Sequence, residues 1–157
     1  MASIKRAIAG DSTILLPLVE AYWGFESISG FDPAPISQQL DRLLSTPELG
    51  AGWIAYHKNV AVGYILAVYV FSLEHMGLTA EIDEFFVLPS GRSAGVGSDL
   101  LRSAESEFAR IGCTNVSLQL SRNNDAARRF YHRFGYTERA GFELLDKTLH
   151  GVTRLCQ

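Results

Sequence analysis

Val87-Leu88-Pro89-Ser90-Gly91-Arg92-Ser93-Ala94-Gly95-Val96-Gly97-Ser98 joins two patterns of different period. Before it, Ala80 to Leu88 is rich in Ile, Phe and Val and reads as a strand. After it, Val96, Leu100, Leu101, Ala104, Phe108 and Ile111 recur at the spacing of one helix face, which predicts a helix from about Val96 to Ile111. The switch of period across a Gly-rich turn, Ser90 to Gly95, makes the chain α/β. Small side chains at Ser93, Ala94, Gly95, Gly97 and Ser98 let a ligand come against the backbone. The N–H groups of a helix's first turn have no intrahelical acceptor, so the junction is a ready anion site, and Arg92 adds a fixed positive charge. A dinucleotide fingerprint opening at Gly95 would need a glycine where Leu100 stands, and no Gly-Lys-Ser/Thr follows a glycine at P-loop spacing. Nicotinamide dinucleotides and nucleoside triphosphates are not supported. Taken alone, the loop also fits a plain strand-to-helix turn without a ligand.

Outward from this junction the pattern stays mixed. Ile4 to Ile8 reads as a short strand, followed by Asp11 or Ser12 as the cap of a helix with Ile14, Leu15, Leu18, Val19 and Tyr22 on one face. Phe25 to Pro35 reads as loop, and a second helix is predicted from about Ser37 to Leu44, ending before Pro47. Trp53 to His57, a Lys58-Asn59 turn and Val60 to Leu73 form a hairpin pattern. Beyond the quoted stretch, Asn115 to Leu120 alternates as a strand, and Asn123 or Asn124 caps a helix ending near Phe134. Strands near Tyr136 to Arg139 and Phe142 to Leu149 close the pattern. The expectation is one domain, residues 1–157, with a mixed, mostly antiparallel sheet of about six or seven strands flanked by about four helices.

The 157 residues suffice for one domain with a real core: 47% are hydrophobic and 20% charged. A net charge of −3 argues against a surface built to neutralise a phosphate backbone, so nucleic acid is not expected as a partner. The charge is uneven, with ten acids and four bases in residues 1–90, a net −6, and ten bases and seven acids in residues 91–157, a net +3. Such asymmetry points to one cationic and one anionic ligand end. Cys113 and Cys156 have no metal-like spacing and favour a reduced compartment, as does an N-terminus without a signal-like apolar run; a cytoplasmic location is expected. The longest uncharged stretch, Asn59 to Leu73, is 15 residues, below the roughly 20 a spanning helix needs, so no membrane association is expected. His57, His75, His132 and His150 lack ligand spacing, and no metal is expected.

Arg92-x-x-Gly95-x-Gly97, after a strand and before an amphipathic helix, resembles the acyl-coenzyme A pyrophosphate loop of the GNAT N-acetyltransferase superfamily. Asn124-x-x-Ala127-x-x-Phe130-Tyr131-x-x-x-Gly135-Tyr136 is similar to that superfamily's second motif, in the same order. The resemblance covers nearly the whole chain. Within it, Ile82-Asp83-Glu84-Phe85-Phe86-Val87 resembles the corresponding strand of the spermidine/spermine- and thialysine-type branch. Two positions depart. Ser93 stands where Gly is common, and Arg139-Ala140 precede Gly141-Phe142 where that branch carries an acid, which weakens the inference to a polyamine.

The resemblance implies a GNAT-like fold, acetyl-CoA as acyl donor, and transfer of the acetyl group to a primary amine of a cationic small molecule, in a cytoplasmic enzyme that is by analogy a homodimer. Residues Arg92, Ser93, Ala94, Gly95, Val96, Gly97 and Ser98 would hold the pyrophosphate, the backbone of Phe85, Phe86 and Val87 would meet the pantetheine arm, and Asn124 would cap its helix and contact the coenzyme. Tyr131 would give a proton to the departing thiolate, although its helical spacing with Phe130 and Phe134 equally fits core packing.

An ammonium must also lose a proton, and Asp83 and Glu84 are the candidates. Strand alternation sends neighbouring side chains to opposite faces, and a bulge would exchange them; either residue alone also fits a structural ion pair. Tyr22, Trp23, Phe25 and Phe31, with Glu26 and Asp32, fit core or the wall of a pocket for an organic cation. The alternatives are a non-catalytic acyl-CoA-binding or sensing module on the same fold, and a purely structural α/β domain.

Overall fold

The computed structural model describes residues 2–149. Contacts divide the chain into two compact units, Met1–Leu118 and Gln119–Gln157.

The first unit runs β1 (Ser3–Arg6), α1 (Ser12–Phe25), α2 (Pro33–Leu44), β2 (Gly50–His57), β3 (Val60–Ser72), β4 (Gly77–Val87), a short 3-10 turn (Pro89–Gly91), α3 (Val96–Arg110) and β5 (Val116–Leu118). The strands form one sheet in the order β1-β2-β3-β4-β5, antiparallel except for the parallel pair β4/β5. That parallel pair is the strand-helix-strand crossover through α3.

Alternation divides the sheet between two helical layers. Ile54 and Tyr64, paired across β2 and β3, face α1 and α2 and join Leu15, Leu18, Val19, Leu40, Leu66 and Phe86 in one core. Trp53 faces the other way, where its ring meets Phe108 of α3 edge to face at 5.8 Å. Val96, Leu100, Leu101, Ala104 and Phe108 form the buried stripe that the sequence periodicity predicts. Burying each large apolar side chain of this kind contributes roughly 1.5–3 kcal/mol.

Two expectations are corrected. Phe25 to Pro35 is not all loop, because α2 begins at Pro33 rather than near Ser37. Proline lacks an N–H, and a first helical turn has no acceptor for one, so Pro33 and Pro35 start this helix instead of delaying it. The sheet has five strands among the described residues, not six or seven. Tyr136 to Arg139 and Phe142 to Leu149 form no strand. In the last of these Leu144 and Leu145 are adjacent and both exposed, so alternation names no buried face and no register follows from it.

The second unit is built on α4 (Asp125–Arg133). Of the two candidate caps it is Asn124 whose Oδ1 accepts the Ala127 N–H, at 3.0 Å. Gly135, at φ +87°, follows the helix and donates its N–H to the His132 carbonyl. Arg128 and His132 both reach the Glu138 carboxylate at 2.8 Å, which holds that carboxyl down to about 2, the Arg128 bond being the larger cause.

Candidate active site

Strand β4 loses its pairing parity at Asp83. Glu84 stands opposite Leu66 and Ile82 opposite Ala67, so Asp83 is an extra residue with no partner on β3. The bulge foreseen as an alternative is therefore present, and simple alternation along β4 does not carry through this point. Glu84 lies on the α1/α2 side with Leu66, and Tyr22 and Tyr64 on that side feel the charge of both Glu84 and Asp83.

Glu84 is half-buried and held at both oxygens. The Trp23 indole Nε1–H donates to Oε2 at 2.8 Å and the Tyr64 hydroxyl donates to Oε1 at 2.9 Å. Burial raises its pKa above the ordinary range and the Asp83 charge adds to that, while the two donors act in the opposite sense without cancelling it. Asp83 is exposed, and among the described residues no hydrogen bond or ion pair reaches its carboxylate. Its pKa is also raised, first by the protein atoms that displace water around it and second by Glu81. Glu81 is a half-buried residue inside β4, paired with Val68 and Ser117.

Aromatic rings surround these carboxylates. Tyr22 lies 6.4 Å from Tyr64 and 5.7 Å from Phe86, and burial with the nearby charge of Glu26, Glu84 and Asp83 pushes its hydroxyl up to about 12. Trp23 meets Phe31 edge to face at 5.9 Å. Phe25 keeps 55% of its surface in solvent and packs on Phe86 at 5.6 Å. The group is partly core and partly wall.

Beyond the bulge, β4 changes its company. β5 pairs with β4 only at Ala80, Glu81 and Ile82, so Glu84, Phe85, Phe86 and Val87 have strand pairing on the β3 side alone among the described residues. An extended ligand arm can hydrogen-bond along such an edge as another strand would. The chain then turns into α3, where Gly95 occupies the N-cap in the left-handed region at φ +75° and the Asp99 N–H is the first to bond back, to the Gly95 carbonyl. The N–H groups of Val96, Gly97 and Ser98 thus have no helical acceptor. Ser93 and Ala94 are exposed, and Ser93 takes φ +71° without being glycine. Arg92 donates its Nε–H to the Val87 carbonyl at 3.0 Å, and its guanidinium lies over both Phe25, at 5.6 Å, and Phe86, at 5.5 Å. Donor set, backbone access and charge fit a diphosphate at α3 and an extended arm on β4.

In the second unit, Tyr131 is half-buried between Phe130, at 5.4 Å, and Tyr136, at 5.5 Å, and its carbonyl accepts the Tyr136 N–H. Asn124 at the head of the same helix is committed to its cap. Among the described residues no group of three or more His, Cys, Asp or Glu has metal-holding geometry, and no helix is long and apolar enough to cross a membrane.

The model of the acetyltransferase (GNAT) family matches residues 15–136, a span that includes the β4 carboxylates, the α3 loop and α4. The chain belongs to the GNAT family. An uncharacterized N-acetyltransferase of Bacillus subtilis (strain 168), YhfO, is 25% identical over 147 residues, 89% of this chain and 93% of that protein. An aminoalkylphosphonate N-acetyltransferase of Salmonella typhimurium is 35% identical over 85 residues, 54% of this chain and 55% of its own. Among solved structures, an integron cassette protein, HFX_CASS3, from the mobile metagenome of Cole Harbour Salt Marsh superposes with a TM-score of 0.80 at 28% identity, covering 93% of this chain and 90% of that one. The aminoglycoside N-acetyltransferase AAC(6')-Iy in complex with CoA superposes with a TM-score of 0.81 at 18% identity, covering 95% and 96%. GNAT membership thus rests on sequence, and the two superpositions agree on the fold.

Within this GNAT chain, sequence reasoning missed Tyr64. Its meaning lies in a bond to a residue 20 positions away. A tyrosine at the centre of a long apolar strand is the one available signal, since a buried hydroxyl needs a partner.

Proposed function

We propose that the protein is an acetyl-CoA-dependent N-acetyltransferase acting on the primary amine of a cationic small molecule, residues 1–157 working as one domain. The observation that carries this reading is the pair of carboxylates at the β4 bulge, on the strand whose open edge leads into the α3 loop. Acetyl-CoA supplies an acyl group already activated as a thioester. The chain's own residues have three tasks: to hold both reactants, to take a proton from the ammonium and to give one to the departing thiolate.

The N–H groups of Val96, Gly97 and Ser98 with Arg92 would hold the diphosphate, and the backbone of Phe85, Phe86 and Val87, on the side away from β3, the arm. Asp83 or Glu84 would accept the ammonium proton. Both are raised above the ordinary carboxyl range, chiefly by protein atoms that displace water around them, which suits a base that must take up and release a proton each turnover. The amine nitrogen would then bond to the acyl carbon and give up its second proton to solvent as the carbon–sulfur bond breaks, while the Tyr131 hydroxyl would protonate the sulfur and regain its own proton from solvent.

Acids and aromatic rings around Tyr22 favour a cationic acceptor, in line with the net −6 of residues 1–90. The amine-bearing substrate in the Salmonella relative's name and the CoA in the AAC(6')-Iy complex support the same class of reaction. Thiol release from acetyl-CoA across an amine panel tests the reading, with turnover expected on cationic primary amines. Tight coenzyme binding with no turnover on any amine would instead favour a binding module. Tyr131→Phe is expected to lower kcat at unchanged coenzyme affinity; an unchanged kcat removes Tyr131 from the mechanism.

A further inference from the structure

We propose that Trp23 and Tyr64 are positioning residues that hold the Glu84 side chain in one orientation and as a carboxylate, so that proton removal depends on the end of α1. The proposal rests on the assignment of Glu84 to the proton-handling site.

The two donors come from different elements and take different oxygens, Trp23 of α1 on Oε2 and Tyr64 of β3 on Oε1. A carboxylate held at one oxygen still swings about its last torsion, which is broad and weakly hindered. Held at both, it turns only by breaking a charge-assisted bond. The donors are themselves fixed. Tyr64 is fully buried, and Trp23 packs on Phe31 while its carbonyl accepts the Ile28 N–H at 2.8 Å.

The chemistry of the grip favours the ionised form. An indole N–H can only donate, and the Tyr64 hydroxyl, pushed far up by burial and by Glu84, keeps its proton. Two donors at two oxygens match a carboxylate, whereas a carboxylic acid would have to bring its own proton against one of them. The other titratable groups facing Glu84 are Asp83 on its own strand, whose charge opposes ionisation, and Tyr22 from α1, itself beside Glu26. Each Glu84 oxygen retains a lone pair for an incoming ammonium.

The end of α1 is also clasped to β4 a second time, by the Arg92 guanidinium over Phe25 and Phe86. Trp23 is therefore not free to drift from Glu84 while the helix end stays in place.

The test uses Trp23→Phe and Tyr64→Phe, each of which keeps a ring and drops the donor, with Glu84→Gln as reference. Carbon-13 NMR of the Glu84 carboxyl, followed against pH in the full chain without substrate, is expected to show a titration midpoint about one pH unit higher in each variant. Unmoved midpoints in both overturn the proposal. With acetyl-CoA and the best amine of a panel, the acid limb of kcat/KM should move the same way and kcat fall about tenfold at unchanged KM for acetyl-CoA. Glu84→Gln separates the two levels. Full turnover in that variant sinks the assignment of Glu84 itself. Lost turnover there, with wild-type profiles and midpoints in Trp23→Phe and Tyr64→Phe, sinks only the positioning.

Discussion

Trp23, in the last turn of α1, donates its indole N–H to Oε2 of Glu84 at 2.8 Å, across 61 positions of sequence. The bond joins a helix end to a bulged strand at the point where two carboxylates sit side by side, one gripped and one free. That arrangement has thermodynamic signatures apart from any catalytic one.

The free carboxylate destabilises the folded chain at neutral pH. Asp83 keeps its proton to higher pH in the fold than in the unfolded chain, so its contribution to stability is fully present below the ordinary carboxyl range and is lost as pH rises through the raised value. Asp83→Asn is therefore expected to raise Tm by about 2 °C at about pH 7.5 and to leave it nearly unchanged at about pH 3.5. Thermal melts at both pH values check the sign; a lower Tm at neutral pH would mean that the carboxylate is paired.

Asn124 carries a structural role separable from any coenzyme contact. Its side chain satisfies the Ala127 N–H at the head of α4, so Asn124→Ala should cost about 1 kcal/mol while Asn124→Asp keeps the cap. Urea unfolding of both variants, compared with their coenzyme affinities by calorimetry, shows which losses belong to the helix and which to the ligand.

Ser93 is the strained point of the α3 loop, at φ +71°. A left-handed conformation costs an ordinary residue roughly 1–2 kcal/mol, and a β-branched one more. Ser93→Gly should therefore keep coenzyme binding, and Ser93→Val should weaken it about tenfold or more while lowering stability. Equal affinities for the two variants would show that the loop conformation does not matter to the ligand.

Glycines in the first unit divide by what a methyl would meet. At Gly50 an added Cβ would run into the Ala67 carbonyl oxygen, which belongs to the paired strand and cannot withdraw, so Gly50→Ala should cost about 3 kcal/mol. Gly24 lies inside α1 with open space around it, so Gly24→Ala should stabilise by roughly 0.5–1 kcal/mol. Chemical denaturation of the pair gives both signs in one experiment.

The parts of the fold that sequence made legible are those decided locally. The α3 stripe from Val96 to Phe108 and the β2/β3 hairpin across Lys58-Asn59 follow from periodicity and turn chemistry, and both stand in the structure with shifts of a few residues at the ends. Pro33 and Pro35 misled because proline either ends or begins a helix, and only the φ/ψ of its neighbours decides. Asp83 and Glu84 were visible as acids in an apolar strand, yet the side taken by Glu84 depends on the register shift between Leu66 and Ala67, which no pattern in β4 announces. Trp23 stood out as an aromatic beside acids and Tyr64 did not, and their common partner could not be seen, because that contact is made only when the sheet and α1 are in place.

The half-paired stretch of β4 also bears on how the protein behaves in a tube. From Asp83 to Val87 one side of the backbone has no strand beside it among the described residues, and Phe71, Leu73 and Met76 stand exposed at the far end of the same hairpin. A strand edge with no neighbouring strand is a template for another chain, and exposed apolar surface elsewhere on the hairpin adds to the attraction. A molecule that lies along that edge removes the template. Purified without such a molecule, the protein is expected to cloud on concentration and storage, and adding coenzyme A should clear it if the coenzyme lies along this edge as proposed; clouding that coenzyme A leaves unchanged would count against that placement.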